Sequence, residues 1–389
     1  MSKIKELVDD SMFDWLKQVR RKIHANPELG FEEYKTAGYI SNCLRALGVE
    51  HQTGVAKTGV VGWLKTSKKA PTVAIRADMD ALPIEEQTGL SFSSKVVGKM
   101  HACGHDGHVT IALGACALLK KAPPAGNVVF IFQPAEETDG GAHQMITEGA
   151  LDGVDVIYGG HIDPHFLTGE IAIKEGITSA YTDSFDIEIT AKGGHAARPH
   201  EAIDGIIIAA QIILQIQTIV SRQIDPFAPA VITIGELRAG HVYNAIAQKA
   251  YLKGTIRTID DGIRKTIMEK LKLIVSSFAS MYGVHIDINF YAGYPPVINH
   301  KRECGFAYSV AQNLLGQDNI KTIEHPSLGG EDFSFFVHKV PGCFVRYGAR
   351  SANSEFTPVH SPFFIFDEEV LRVGAAYMAE LIRYTISML

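Results

Sequence analysis

Residues 128–137 read V-V-F-I-F-Q-P-A-E-E: five apolar residues in a row, then a proline turn carrying Glu136 and Glu137. A short unbroken apolar run that stops at such a turn is the pattern of a strand buried on both faces. Similar runs stand at 59–64, 72–77, 154–158 and 344–347. Apolar residues at helical spacing separate or flank them at 13–23, 33–47, 109–121 and 368–389. The alternation predicts an α/β fold: a mixed or parallel sheet flanked by helices.

The segment 184–294 has a different rhythm. A strand at 185–192 alternates apolar and polar residues. A helix at 202–220, strands at 230–237 and 250–258, a helix at 261–281 and a strand at 285–291 follow. That β-α-β-β-α-β order predicts an inserted α+β unit of the ferredoxin-like type. The expected division is a domain formed by 1–179 plus 295–389 and an inserted domain at 180–294, with hinges at 176–183 and 293–296.

Bulk composition narrows the function classes. The chain has 389 residues, 46% of them hydrophobic, and a formal net charge of −6. There is no long run of lysine or arginine, which argues against a nucleic-acid surface. The five cysteines, Cys43, Cys103, Cys116, Cys304 and Cys343, are odd in number and widely spaced. A disulfide framework is therefore not expected, and reduced thiols fit a cytoplasmic setting. The start, S-K-I-K-E-L-V-D-D, has no apolar leader core, so no signal peptide is expected. The most apolar run, 203–220, is broken by Asp204, Gln211, Gln215 and Gln217 and predicts a buried helix, not a membrane span.

In an open α/β sheet, ligands gather at the carboxyl ends of the strands. Here Asp78 and Asp80 follow one predicted strand, Glu136 and Glu137 a second, and His161 a third. H-A-C-G-H-D-G-H (101–108) opens a helix, and His360 lies in the loop T-P-V-H-S-P. Thiol, imidazole and carboxylate together suit zinc and other borderline divalent ions rather than magnesium or calcium. Cys103, His105, Glu137, His161 and His360 supply donors for two ions, with a thiolate able to bridge. Side chains of adjacent residues leave the backbone in different directions. Glu137 can thus bind metal while Glu136 takes a proton from water, as a general base for attack on an amide carbonyl.

The motifs M-H-A-C-G-H-D-G-H, Q-P-A-E-E, R-A-D-M-D-A-L-P, H-A-N-P-E-L-G-F-E-E, K-G-G-H-A-A-R-P-H, G-T-I-R and G-G-E-D-F occur from residue 24 to residue 333. In that order they resemble the aminoacylase-like metallopeptidases, in the branch of hippurate hydrolase, auxin-conjugate hydrolases and N-acetyl-diaminopimelate deacetylase. The resemblance implies a metal-dependent amidohydrolase acting on N-acyl amino acids or related conjugates. It implies two divalent ions, zinc or manganese, with nickel or cobalt as alternatives. Cys103 resembles the bridging ligand, and His105, Glu137, His161 and His360 match the remaining ligands. Glu136 matches the base. The inserted domain resembles a lid that also forms a homodimer contact. His195 matches a histidine that reaches the partner subunit's active site to stabilise an oxyanion. Asn244 and Arg257 match substrate-binding positions. Where the family often has V-I-P after this asparagine, the chain has Ala245-Ile246-Ala247.

Rival readings keep the metal site and change the role: a dipeptidase or aminopeptidase, or a non-catalytic metal-dependent binding protein. Other singled-out residues have plainer expectations. Asp78 orients a neighbouring group, and Arg76 cannot be a ligand. His101 and His108 hydrogen-bond around the ligand pair. His24, His51, His143, His165, His200 and His241 are ordinary polar or surface positions, and the other four cysteines are small apolar residues. Glu331 and Asp332 wall the pocket or cap a helix.

Overall fold

The computed structural model describes residues 2–67, 69–138 and 140–389. They divide into two compact units: Met1–Thr178 with Val297–His325 and Glu331–Leu389, and Ser179–Pro296 with Pro326–Gly330.

The first unit is built on an eight-stranded mixed sheet. Its order is Glu50–Val55, Gly59–Leu64, Asn127–Gln133, Thr72–Asp78, Val156–Leu167, Gly342–Arg350, Ile171–Ile173 and Ile320–Thr322. Thr72–Asp78 pairs in parallel with both Asn127–Gln133 and Val156–Leu167, and Val156–Leu167 pairs in parallel with Gly342–Arg350. The sheet centre therefore aims its carboxyl ends one way. Alternate residues serve different cores. Val73, Ile75, Val128 and Phe130 join the larger apolar cluster with the helices Asp10–His24, His105–Lys121, Lys301–Leu315 and Glu369–Met388. Ala74, Val129 and Ile131 join a second cluster with the short helices Gly141–Thr147 and Phe333–Val337. Apolar residues at consecutive strand positions are thus explained by burial on both faces.

Three differences from expectation stand out. Glu50–Val55 forms an edge strand although its residues E-H-Q-T-G-V are mostly polar; antiparallel pairing with Gly59–Leu64 stabilises it without much burial. The strand expected to stop at residue 158 runs on to Leu167, because Gly342–Arg350 pairs with it from Ile157 to Asp163 and, past a register shift, again at Leu167. The helix after the H-A-C-G-H-D-G-H motif starts at His105, four residues before its apolar periodicity begins.

The second unit has a four-stranded antiparallel sheet ordered Ala230–Ala239, Lys249–Thr258, Tyr181–Thr190, His285–Tyr291, with two helices, Gly205–Gln223 and Asp261–Tyr282. In chain order this is second, third, first, fourth, the ferredoxin-like arrangement. Asp204 and Asp260 cap the helices by accepting from Ile206 and Ile263 N–H. Among the described residues, Gly205–Gln223 is the one helix long and apolar enough to cross a membrane. Its Ile208, Ile212, Ile216 and Ile219 are buried in this unit's core, whereas Ile206, Ile207 and Leu214 are exposed. The expected buried helix is therefore buried along one stripe only.

Leu113 is fully buried on the helix His105–Lys121, and Val97 is almost wholly exposed. Leu113→Ala is expected to lower the unfolding free energy by about 2–5 kcal/mol, and Val97→Ala to change it by less than about 0.5 kcal/mol, in urea titrations followed by circular dichroism.

Candidate metal centre

Five donors predicted from separate parts of the chain lie together in the first unit. Cys103 Sγ is 3.3 Å from His161 Nε2 and 3.3 Å from His360 Nε2. Glu137 Oε1 lies 3.1 Å from His360 Nε2 and 3.8 Å from His105 Nε2. The donor atoms form two overlapping triplets, Cys103–His105–His161 and Cys103–Glu137–His360, each within 4.8 Å and sharing the sulfur. Glu136 joins His105 and Glu137 within the same limit.

Local structure explains how distant residues meet. His105 opens its helix, and Gly107 two residues on lets that helix approach the strand bearing His161: a Cβ there would lie 2.3 Å from Ile162 Cδ1. His360 sits at φ 63°, a strained setting for a side-chain-bearing residue, held by its N–H bond to Ala102 O at 2.8 Å. That bond ties the last donor to the residue beside Cys103.

The imidazoles are oriented through their other nitrogens. His161 Nδ1 donates to Ile162 O at 2.7 Å, and His105 Nδ1 donates to Asp80 Oδ1 at 3.1 Å. With Nδ1 engaged in each ring, Nε2 is the atom left to bind a metal in place of a proton. Asp80 Oδ2 also accepts Glu137 N–H at 3.0 Å. Asp78 orients a neighbour as expected: Oδ1 accepts from His108 Nδ1 at 2.5 Å, and His108 Nε2 accepts Ile162 N–H at 2.8 Å. Arg76 is buried and binds Asp78 at 2.7 Å and Asp332 at 2.6 Å. Asp332 also accepts from Gln133 and from Ala142 N–H, and Glu331 lies beside Arg76 and Glu136, so both acids belong to this buried cluster.

The cluster carries a surplus of negative potential. Burial and then Glu137 and Glu136 push the Cys103 thiol well above its ordinary value. Burial and then Glu331 and Glu137 raise Glu136 well above the usual carboxylate range. Burial alone would lower His105, but Asp78, Asp80 and Glu137 outweigh it and lift that imidazole to about 10. Each shift asks for positive charge at the same spot. His105 Nε2 is also buried without a hydrogen bond among the described residues. Imidazole and carboxylate donors facing one another in an electronegative pocket, with a soft sulfur between them, fit divalent cations.

The other predicted residues lie in the second unit. His195 is exposed on the two-residue strand Gly194–His195, which pairs with Ala245–Ile246, and Asn244 O accepts Ala196 N–H at 3.1 Å. His195 and Asn244 are therefore neighbours at one small two-stranded ladder. Arg257 is half-buried and donates to the carbonyls of Asp183 and Ile256, because Arg264 takes the Asp183 carboxylate at 2.6 and 2.7 Å. All five cysteines are free thiols.

His24 is not the ordinary polar position expected. It is buried, with Nδ1 2.9 Å from Asp106 and Nε2 3.2 Å from Glu86. Arg20 binds the same Asp106 oxygen and joins Glu368. His101, expected to hydrogen-bond, makes no such bond among the described residues, and burial lowers it to about 3, so it stays neutral. A sequence signal for His24 existed in its place at the head of H-A-N-P-E-L-G-F-E-E, but nothing local names Asp106 as its partner.

Comparison with known proteins agrees with this geometry. Residues 74–384 match the model of Peptidase family M20/M25/M40. A thermostable carboxypeptidase 1 of Saccharolobus solfataricus is 42% identical over 93% of both chains. The IAA-amino acid hydrolase ILR1-like 2 of Arabidopsis thaliana is 39% identical over 95% of this chain and 85% of its own. The crystal structure of the Bacillus subtilis YXEP protein, a dinuclear metal binding peptidase from the M20 family, superposes with a TM-score of 0.84 at 36% identity, covering 98% of this chain and 100% of that one. The chain belongs to peptidase family M20/M25/M40, as the sequence resemblance implies, and is a metal-dependent amidohydrolase.

The His24 network gives a pH dependence. Burial alone would lower His24, but Asp106 and Glu86 outweigh it and hold the imidazole at about 8. A histidine pKa raised on folding contributes stability that is complete below the unfolded value, about 6.5, and is lost as pH rises through the folded value. The melting-temperature gap between the parent and His24→Gln is therefore expected to be wide at about pH 6 and narrow at about pH 9 in thermal melts.

Proposed function

We propose that this enzyme hydrolyses the amide bond of N-acyl amino acids or related conjugates, with Glu136 as general base and Cys103, His105, Glu137, His161 and His360 as ligands of two divalent ions. The observation that carries the reading is the pair of donor triplets sharing Cys103, with Glu136 beside them. Two such ions would polarise the scissile carbonyl and lower the pKa of an adjacent water. The chain's own residues divide the remaining tasks. Asp80 and Ile162 O fix the imidazoles so that their lone pairs converge. Glu136, buried among Glu331, Asp332 and Glu137, has the raised affinity for a proton that suits taking one from water and returning it to the leaving nitrogen. Zinc or manganese is the proposed metal, since thiolate and imidazole suit zinc and carboxylate suits manganese; nickel and cobalt are the alternatives.

The inserted unit is proposed to act as lid and homodimer contact. In that arrangement His195 of the partner subunit supplies an oxyanion donor, and Asn244 and Arg257 bind the substrate, Arg257 through a carboxylate. A cytoplasmic location accords with five free thiols. The carboxypeptidase relative favours a second reading, a peptidase on the same centre. Paired assays on N-acetyl-leucine and glycyl-leucine separate the two.

Glu136→Gln is expected to lower kcat for N-acetyl or N-benzoyl amino acids by about 10²–10⁴-fold at unchanged metal content, whereas Cys103→Ser lowers the metal content itself, read by elemental analysis. Parental turnover by either variant refutes its assigned role. A mixture of inactive Glu136→Gln and inactive His195→Ala proteins is expected to regain activity after subunit exchange; no recovery once mixed dimers are verified removes the role of His195 across subunits.

A further inference from the structure

The turn that presents Glu136 and Glu137 is built on Ala135, a buried residue at φ 53°. An alanine in the left-handed region is strained and persists only where its surroundings hold it there. The hold comes from Glu33. Its Oε1 accepts Ala135 N–H at 2.9 Å, and its Oε2 accepts from Thr58 Oγ1 at 2.6 Å. Glu33 and Thr58 are both buried, and Thr58 lies in the turn before the strand Gly59–Leu64. Gly30, three residues before Glu33, leaves room for the turn: a Cβ there would lie 3.0 Å from Ala135 Cα and 2.5 Å from Thr138 Oγ1. On the other side of Glu136, Glu137 N–H goes to Asp80. The peptide N–H groups before and after Glu136 therefore each end on a buried carboxyl group.

We propose that Glu33, anchored by Thr58, is a positioning residue for catalysis: it holds the left-handed turn at Ala135 that aims Glu136 at the reacting atoms while Glu137 faces the donor cluster. The inference rests on the reading of Glu136 as the base. A carboxyl that merely fills a core position would, on removal, lower stability and leave turnover per folded molecule alone. A carboxyl that aims the base lowers kcat at nearly constant KM. Burial pushes Glu33 up to about 7. The brace survives protonation, since a proton on Oε2 can be donated to Thr58 Oγ1 while Oε1 still accepts from Ala135. An amide offers the same pair of bonds, so glutamine is the conservative substitute.

The test compares metal-loaded, full-length Glu33→Ala, Glu33→Gln, Thr58→Val and Glu136→Gln in steady-state hydrolysis of an N-acetyl amino acid, with metal content and circular dichroism on each. Glu33→Ala is expected to lose about 10- to 100-fold in kcat, with KM within about threefold and parental metal content. Glu33→Gln stays within about threefold of the parent, and Thr58→Val falls between the two. Adding Ala135→Gly to Glu33→Ala recovers at least about threefold, because glycine adopts a positive φ without strain. Parental kcat in folded Glu33→Ala, equal loss in the Ala and Gln variants, or no recovery from Ala135→Gly overturns the proposal. If Glu33→Ala does not fold, parental kcat in Thr58→Val overturns it. Glu136→Gln at parental kcat sinks the base assignment and the proposal with it. An inactive Glu136→Gln beside a fully active Glu33→Ala sinks the positioning role alone.

Discussion

Asp80 fixes two donors at once. One oxygen accepts from His105 Nδ1 and the other from the peptide N–H of Glu137, at 3.1 and 3.0 Å. His105 arrives on the first turn of a helix and Glu137 on the turn after a strand, so a single buried carboxylate sets the relation between two elements. It can do so because Thr72–Asp78 lies between Asn127–Gln133 and Val156–Leu167, all three running in parallel. A residue just past the middle strand's end is within reach of the turn after Asn127–Gln133 and of the first turn of the helix His105–Lys121. The topology and the chemistry are thus one constraint.

The same convergence concentrates charge. Asp78, Asp80, Glu136, Glu137, Glu331 and Asp332 lie at or near one sheet end, all but Glu137 buried. Burying so many acids is unfavourable unless they are paired. Arg76 answers part of it, binding Asp78 and Asp332 and lying 3.1 Å from Glu331. His105 and His108 answer another part. What the side chains leave unanswered falls between Cys103, Glu137 and Glu136, where the raised proton affinities mark a place for cations. Arg76 is not a ligand, yet the arrangement of acids depends on it.

Much of this was legible in the primary structure because the relevant signals are local. Runs such as V-V-F-I-F announce strands buried on both faces, and Cys103, His105, Glu137, His161 and His360 stand beside such runs or in loops with ligand chemistry. What was not legible depends on partners far along the chain. His24 reads as an unremarkable polar residue until Asp106 and Glu86 are placed against it. Glu50–Val55 carries no apolar alternation, because an edge strand can be specified by its neighbour's hydrogen bonds. Nothing in Q-P-A-E-E says that its alanine is left-handed; that follows from Glu33, a hundred residues earlier. Types of side chain are written locally, and their aims are set by contacts between distant segments.

Cys103 and His360 meet although 257 positions separate them, with an entire second compact unit encoded in between. Bringing such ends together has a loop-closure entropy that only the finished fold can offset, and contacts of this kind form late. During synthesis from the amino terminus, four of the five donors exist long before the fifth is made. The complete donor set is therefore a property of the whole polypeptide and of no fragment, and ion retention is a check on the last stage of its maturation.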